Sequence, residues 1–452
     1  MTKIKQQTVK RIKLEFAPGE AVTSFGGMAI TGRFWCRLGV ERLLEKNLPY
    51  RRGYTLVDVV KSAIGGLLTG ARGTFATEGV RQDPAFLKLL GLSRAPEEAT
   101  FWRALADAGE EKGLAGLEET TLTLARRAVE RAPVSSVIQG GFFRLFIDAT
   151  MLEGSPRREG TKYIGGKGEG LVWTVGFAGS FPVAQRLAAS GEGEGEQTHA
   201  REILKRIDEK LLGPSGMRKK ALVLMDSLHG NGPTLDVVEG LELRYVIGAG
   251  SLERTSSVLA AQPECQWTPT PEDDKARGVE DSGVCTAWIQ CEGWKKKRLL
   301  VGRRWKRKGE MLWNYAGVLT NLERDDPRLR AKNSGAFARK VWALYDHKGA
   351  CENHFKNLLT DLGLHHPPCQ RWQRNAGFYA IGALAGLLAS AFDVLTSRPS
   401  KQRRRIATLR RWVLAVPARI ARHSRTITAT VLGLSERWRA WLEDRFRRAA
   451  RC

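Results

Sequence analysis

The chain has 452 residues, of which 42% are hydrophobic, and a formal net charge of +25. Its length and apolar content are enough for two to four folded domains, so a largely disordered chain is excluded. The excess of bases predicts a polyanionic partner, for which DNA is a better candidate than a lipid surface. The seven cysteines include no Cys-x-x-Cys pair. This argues against a zinc site or a disulfide framework and favours a cytoplasmic location.

Residues 1–135 are predicted to be mostly helical after a short extended opening. The N-terminus has no apolar segment of the signal-peptide type. Basic edges on small helices suit contacts with DNA, although solvated basic faces are an equal alternative. Gly and Pro separate four predicted helices, at residues 29–46, 55–70, 83–90 and 99–129.

Two apolar runs within residues 136–250 each end on an aspartate. Residues 142–147 form an aromatic and β-branched run before Asp148, and residues 221–225 form a continuous apolar run before Asp226. Such runs predict strands buried on both faces, and groups at strand ends lie at the rim of a sheet, where ligands bind. The two aspartates therefore predict a site, with a helix-capping role as the alternative for either one. The order of strands and helices around them predicts an α/β half-sheet.

Residues 251–340 change to short β-type runs in which bases alternate with tryptophans. This texture predicts a β-rich insertion into the preceding α/β unit. Bases beside aromatic rings suit distorted or single-stranded DNA, because the bases neutralise the backbone and the rings stack unpaired nucleobases. The predicted DNA-backbone contacts are Lys295, Lys296, Lys297, Arg303 and Arg304.

Residues 341–397 contain a third acidic residue on a predicted helix. A helix over residues 348–360 would place Lys348, Glu352 and Lys356 on one face, at i, i+4 and i+8. A surface ion pair between Glu352 and Lys356 is the alternative explanation of this spacing. The apolar run at 376–392 predicts a buried core helix in preference to a membrane span.

Residues 398–452 carry sixteen Lys and Arg against three acidic residues. Apolar residues recur among these bases at helical intervals, so we predict a folded basic helical region. Binding of the DNA backbone and dimerisation are both consistent with this composition.

Asp148, Asp226 and Glu352 together suit a pair of Mg²⁺ ions, because hard divalent cations prefer oxygen ligands. On these residues the chain resembles the DDE transposases of bacterial insertion sequences. The resemblance rests on Phe-Ile-Asp148-Ala-Thr, on Leu-Met-Asp226-Ser, and on the separation of 126 residues between Asp226 and Glu352.

A helix motif extends the resemblance. In the family it runs Tyr, two residues, Arg, three residues, Glu, six residues, Lys. Here Tyr345, Lys348 and Glu352 occupy the first three places, with Lys in place of Arg, and Leu359 occupies the fourth. Lys keeps the charge of Arg but loses its bidentate fork for phosphate. Lys356, one turn after Glu352, is a candidate to supply the missing charge.

The resemblance implies an RNase H-like catalytic core, residues 136–250 and 341–397, split by the β-rich insertion at 251–340. It implies a helical N-terminal DNA-binding region at 1–135 and a basic helical C-terminal region at 398–452. Asp148, Asp226 and Glu352 would be the catalytic residues and the ligands of two Mg²⁺ ions, for which Mn²⁺ can substitute.

The resemblance also implies the partners. These are double-stranded DNA, as the element's terminal inverted repeats and as the target, and a second copy of the chain in a synaptic homodimer. No membrane is implied, and the location would be the bacterial cytoplasm, at the nucleoid. Further phosphate or base contacts implied by the resemblance are Arg33, Arg37, Arg51, Arg52 and Arg72 near the N-terminus, Tyr345, Lys348 and Lys356 on the motif helix, Trp313 or Tyr315 for a flipped base, and Arg371 and Arg374.

The expected function is therefore that of a DNA transposase that cuts and joins strands by a metal-dependent, cut-and-paste reaction. Two alternatives stay open: a catalytically inactive DNA-binding protein derived from a transposon, and an RNase H-like nuclease without strand transfer.

Overall fold

The computed structural model of the chain describes residues 21–164, 168–188, 195–250, 252–270, 278–398, 404–423 and 426–452. The predicted opening segment before residue 21 lies outside these ranges. The described chain is a mixed α/β structure with a large sheet, a small three-stranded sheet and helices around both.

The N-terminal region is helical, as predicted, but two of the predicted helices are broken. Gly39, with a φ of 73°, separates the first helix from the second. Gly109 ends another helix, and a Cβ there would lie 1.8 Å from the Gln373 carbonyl oxygen. Single helices over 29–46 and 99–129 are therefore wrong. A two-residue strand, β1 (Val22–Thr23), precedes the helices, which are α1 (Met28–Leu38), α2 (Val40–Asn47), α3 (Leu56–Thr69), α4 (Glu78–Arg81), α5 (Pro84–Leu89), α6 (Glu98–Ala108), α7 (Glu111–Arg131) and α8 (Val134–Val137).

The first part of the large sheet comes from residues 138–248. Its strands are β2 (Ile138–Gln139), β3 (Phe142–Glu153), β4 (Lys162–Ile164), β5 (Gly168–Ala178), β6 (Phe181–Leu187), β7 (Ala221–Met225) and β8 (Arg244–Gly248). β5 lies antiparallel to both β3 and β6, whereas β3, β7 and β8 are mutually parallel neighbours in that order. The crossovers between the parallel strands contain α9 (Gly195–Ile207) and α10 (Gly232–Gly240).

The predicted insertion is β-rich, but its strands continue the same sheet. It contains α11 (Leu252–Ala260) and the strands β9 (Thr268–Pro269), β10 (Val279–Ile289), β11 (Arg298–Arg307) and β12 (Asn314–Thr320). β12 pairs antiparallel with β8, so the described sheet has eleven strands. Of the predicted DNA contacts, Arg303 and Arg304 lie on β11, whereas Lys295, Lys296 and Lys297 lie in the turn before it.

The chain then returns to the core through helices. α12 (Ser334–Asp346) leads through a 3-10 turn (His347–Gly349) into α13 (Ala350–Lys356), which ends in a π-helical turn (Asn357–Asp361). α14 (Trp372–Thr396) follows. Among the described helices, it alone is long and apolar enough to cross a membrane, yet 89% of its most apolar part is buried inside the protein. This agrees with the predicted buried core helix.

The C-terminal region is not wholly helical, which corrects the prediction. It contains α15 (Ile406–Leu409), the hairpin β13 (Ala418–His423) and β14 (Thr426–Val431), and α16 (Glu436–Arg451). The sequence Thr-Ile-Thr-Ala-Thr-Val of β14 favours a strand because β-branched side chains fit extended backbone best. β13 pairs with β1 from the other end of the chain, a partner that no local periodicity reveals.

Candidate active site

Asp148 lies within β3, on the face that α13 covers. The sequence predicted that this strand ends at Asp148, but the strand continues to Glu153. The pairing with parallel β7 ends two residues earlier, at Phe146 and Leu224, so Asp148 stands beyond the end of its parallel neighbour. Its side chain is 16% exposed. The predicted position at the edge of the parallel strands therefore holds, although the strand itself is longer.

Asp226 directly follows β7 and begins a 3-10 turn over Ser227–His229. Its Oδ1 accepts a hydrogen bond from the backbone N–H of Leu228 at 3.1 Å. The capping role considered from the sequence is thus present. It leaves the carboxylate 34% exposed, so capping does not remove Asp226 from the site.

Gly248, the last residue of β8, allows a close approach of three elements beside Asp226. A Cβ at Gly248 would lie 2.7 Å from the Ser227 backbone nitrogen and 2.7 Å from the Tyr345 hydroxyl oxygen. Burial raises the pKa of Tyr345, with a smaller opposing effect of Lys348 and a further increase from the two aspartates. The Tyr345 side chain therefore enters the site as a neutral hydroxyl.

Lys348 joins the motif helix to the sheet. Its Nζ lies 3.0 Å from Oδ2 of Asp148. Burial acts to lower the pKa of Lys348, but the charges of Asp148 and, less strongly, Asp226 outweigh burial and raise it. Both aspartates thus lie in the field of one lysine, which brings together three of the residues predicted from the sequence.

His229 and Cys351 also lie at this site, and no role was predicted for either of them from the sequence. The His229 side chain is fully buried, its Nε2 lies 3.9 Å from Asp226 Oδ1, and neither ring nitrogen has a hydrogen-bond partner in the described structure. Burial lowers the pKa of His229. Cys351 is buried next to Asp148, and burial followed by the Asp148 charge raises the pKa of its thiol. The only sequence signal for either residue is its place beside a predicted acid.

Glu352 lies apart from Asp148, Asp226 and Lys348. Its side chain is exposed, one helical turn after Lys348. Among the described residues, no set of three His, Cys, Asp or Glu side chains stands close enough to hold a metal ion. The structure therefore brings Asp148 and Asp226 together and leaves Glu352 at the surface of the same helix.

Lys356 faces away from the aspartates. It lines a separate cavity of about 440 Å³, together with Arg144 of β3 and Arg405. The predicted common face of Lys348, Glu352 and Lys356 is thus divided: Lys348 lies in the 3-10 turn before α13, whose spacing departs from that of an α-helix.

The predicted DNA contacts in the insertion are largely engaged within the chain. Lys295 pairs with Asp236 at 3.2 Å and Lys296 with Glu239 at 3.1 Å, whereas Lys297 makes no ion pair with another described residue. Arg303 lies 5.9 Å from the Trp342 ring centroid, and Arg304 forms an ion pair with Glu264.

The two aromatic candidates for a flipped base are half-buried. The guanidinium of Arg304 lies 4.1 Å from the Trp313 ring centroid, and Lys306 Nζ lies 4.7 Å from it. Tyr315 packs against Trp267, with centroids 6.2 Å apart. Trp313 is therefore already part of a cation–π cluster.

The remaining predicted phosphate contacts lie on the surface around the helices. Arg371 is 3.8 Å from Glu159, and Arg374 lies 6.0 Å from the Trp102 ring centroid. In the N-terminal region, Arg51 forms an ion pair with Asp107 at 2.6 Å, and Arg33 packs over Phe446.

The sequence of the chain matches a known protein family. A family model described as "Transposase DDE domain group 1" matches residues 4–443. The chain belongs to this family of DDE transposases. The resemblance found at Asp148, Asp226 and the motif helix is thereby confirmed at the level of the family.

Other comparisons add less. No curated protein matches the sequence of this transposase-family chain. Among solved structures, the chain is similar to the piggyBac transposase in a cryo-EM synaptic complex with hairpin DNA, with 10% sequence identity and a TM-score of 0.40. That match covers 81% of this chain and 74% of the other.

Two of the three proposed ligands at the site offer oxygen donors that suit a hard divalent cation. Asp148 and Asp226 supply partly exposed carboxylate oxygens, the donors that Mg²⁺ prefers. His229, with its unpartnered ring nitrogens, lies behind them and not among the exposed oxygens. Glu352 would complete the oxygen donors only from its exposed position on α13.

Proposed function

We propose that this DDE transposase binds the terminal inverted repeats of an insertion sequence and moves it by metal-dependent strand cleavage and strand transfer. The observation that carries the proposal is the juxtaposition of Asp148 and Asp226 in the field of Lys348, in a chain whose family is that of DDE transposases. The proposed sequence of steps is cleavage that leaves a 3′-OH on the element, followed by attack of that hydroxyl on target DNA.

The strand order supports a specific catalytic core. The neighbours β6, β5, β3, β7 and β8 form two antiparallel pairs followed by two parallel ones. We propose that these five strands with α13 and α14 are an RNase H-like core, and that the insertion extends its sheet through β12.

Asp148, Asp226 and Glu352 are the proposed ligands of two Mg²⁺ ions, with Mn²⁺ as a substitute. When bound, such a pair of ions supplies positive charge to the attacking and leaving oxygens of a phosphodiester. Glu352 lies on α13, directly after the 3-10 turn that carries Lys348, and would have to approach the two aspartates from its exposed position.

The chain's own groups would place the DNA strand. Lys348 carries a positive charge between the two aspartates and would neutralise a non-bridging phosphate oxygen near the cleaved bond. The neutral Tyr345 hydroxyl, beside the turn that follows Asp226, would donate a hydrogen bond to the same backbone. Both groups act by positioning and charge, with no covalent intermediate on the protein.

The proposed partners are duplex DNA and a second copy of the chain. The net charge of +25 supports binding to the phosphate backbone. Lys297, which is exposed and has no ion pair with another described residue, and the Arg304–Trp313 cluster support contacts from the insertion, where Trp313 or Tyr315 would hold an unpaired base. Two ends must be joined in one reaction, which is the reason for proposing a homodimer. The proposed location is the bacterial cytoplasm, at the nucleoid.

A second candidate function is that of a catalytically inactive DNA-binding protein. The observations that favour it are the Lys348 ammonium on Asp148 and the exposed position of Glu352. In this alternative, the ion pair would be permanent and would serve only to attach the motif helix to the sheet.

The test is strand cleavage and joining on a duplex that carries the element's own end, in the presence of Mg²⁺. We expect the wild type to cut and join, and Asp226→Asn and Glu352→Gln to do neither while still binding the duplex. Asp346→Asn is the matched control, because it removes an exposed carboxylate at the end of α12, and it should retain both reactions. A wild type that binds the duplex without cutting would establish the inactive alternative, and cutting by the two variants would place the active site elsewhere.

A further inference from the structure

A cavity behind the motif helix has an unusual charge composition. It is about 440 Å³ in volume, and none of its described lining residues is an Asp or a Glu. Bases contribute to it from three separate elements: Arg144 from β3, Lys356 from α13, and Arg405 from the segment before α15.

Arg144 is a half-buried base whose charge is not neutralised by a carboxylate in the described structure. Its Nη1 donates to the side-chain oxygen of Gln139 at 3.1 Å, and its buried Nε has no hydrogen-bond partner in the described structure. Burial lowers the pKa of Arg144, with no acidic group opposing that effect. A guanidinium that is half-buried without a carboxylate carries a desolvation cost that an anion would offset.

Two fully buried arginines of the described structure are paired with carboxylates. Arg298 is held by Asp236 and Glu239 at 2.6 and 2.9 Å, and Arg445 by Asp393 at 3.3 Å. Within the cavity itself, Arg405 is neutralised by Asp361 at 2.5 Å. The uncompensated charge of the cavity therefore comes from Arg144 and Lys356.

The cavity is separate from the site of the aspartates. Arg144, Phe146 and Asp148 alternate along one face of β3, so Arg144 lies about 13 Å from Asp148 along the strand. The ring of His354 on α13 packs against Phe146 with centroids 5.7 Å apart, between the two ends of this row. These two rings separate the Arg144 end of the row from the Asp148 end.

We infer that this cavity is a phosphate-binding site in which Arg144 and Lys356 hold one phosphate group. A guanidinium fork binds two phosphate oxygens at once, and a lysine adds a point charge from a second direction. Ser180 and Asn353 line the same cavity and supply neutral donors. The inference extends the phosphate contact expected of Lys356, and it rests on the proposed function only for the source of the phosphate, which is either the DNA backbone or a free anion.

The test is calorimetric titration of inorganic phosphate and pyrophosphate into the full-length protein, without DNA and with EDTA present. We expect the wild type to bind pyrophosphate, and Arg144→Gln to weaken that binding by about ten-fold or more, the loss expected for charged hydrogen bonds. Lys356→Gln should weaken it several-fold, and Arg144→Lys should weaken it less than Arg144→Gln.

Lys205→Gln is the matched control. It removes one exposed base from α9 and should leave the binding unchanged. Lys356 is exposed, so its variant reports on the cavity even if Arg144→Gln impairs folding. Absence of binding to the wild type, or equal binding by wild type, Arg144→Lys and Lys356→Gln, would overturn the inference.

The source of the phosphate is distinguished by repeating the titration with a saturating DNA duplex. Loss of the pyrophosphate signal would identify the DNA backbone as the natural occupant. An unchanged signal would identify a free anion. Because neither arm measures strand cleavage, failure of the proposed transposase reaction would not affect the result.

Discussion

The ammonium group of Lys348 lies 3.0 Å from the Asp148 carboxylate. This contact joins the helix that carries Glu352 to the strand that carries the first aspartate. If Asp148 binds a divalent cation, as we propose, Lys348 would compete with that cation for one carboxylate oxygen.

Replacing Lys348 should therefore strengthen metal binding in the absence of DNA. We expect Lys348→Gln to raise the affinity for Mn²⁺ by about ten-fold, because removal of a charge a few ångströms from a cation is worth more than 1 kcal/mol at a protein surface. Mn²⁺ binding is measured by electron paramagnetic resonance. Lys356→Gln is the control, since Lys356 lines the separate cavity with Arg144 and its loss should change the affinity little. Weaker binding by Lys348→Gln would show that the lysine organises the carboxylates and does not compete with the metal.

The lysines before β11 should differ in their contribution to DNA affinity. Lys297 makes no ion pair with another described residue, whereas Lys295 is paired with Asp236. Lys297→Gln should lower the affinity for duplex DNA and reduce the slope of log K against log salt by about one, because one phosphate contact is lost. Lys295→Gln should reduce the slope less. The measurement is fluorescence anisotropy over a salt series, and equal slopes for both variants would contradict the prediction.

Arg298 should be required for the stability of the insertion. Its side chain is 1% exposed and bridges Asp236 and Glu239 of α10. Arg298→Gln should lower the free energy of unfolding by about 3 kcal/mol or more, because the buried guanidinium that pairs with two partly buried carboxylates is removed. Urea denaturation followed by circular dichroism measures the change. Lys296→Gln removes a 62% exposed base from the same Glu239 and should cost less than about 1 kcal/mol; similar losses for both variants would show that burial is not the deciding factor.

Asp393 should make stability depend on pH in the acidic range. Its side chain is 4% exposed and lies between Arg404 and Arg445. Burial acts to raise the pKa of Asp393, but hydrogen bonds from the Arg404 backbone and Ser397 and the charge of Arg445 outweigh it and lower the pKa below its usual value. A lowered folded-state pKa contributes stability above the unfolded value, and that contribution is lost as pH falls through the folded value.

Asp393→Asn should accordingly unfold at lower urea than the wild type at pH 7, with a loss of about 3 kcal/mol. The difference should shrink as the pH falls below about 4, the usual pKa of Asp. Glu443→Gln, which breaks an exposed pair with Arg439, provides the control and should show little difference at either pH. A gap between wild type and Asp393→Asn that is constant with pH would show that the carboxylate charge is not responsible.

Local sequence patterns predicted most elements that depend on local chemistry. The strand before Asp226, the helix 55–70 and the buried apolar helix after residue 372 follow from apolar runs and their punctuation. Two errors occurred where a distant partner decides the backbone. Strand β3 extends past Asp148 because β5 pairs with it as far as Glu153, and β13 forms because it pairs with both β14 and β1.

The sequence by itself determined which acidic residues could form a site, because Asp148 and Asp226 each follow a run that must be buried, and because the spacing to Glu352 and its motif is a property of the chain alone. Only the tertiary structure decided which side chains meet. Lys348 and Asp148 form an ion pair, and Arg144 and Lys356 line one cavity, although the members of each pair are some two hundred positions apart. Such contacts depend on the angle at which a helix crosses a sheet, and that angle is set by packing over the whole core.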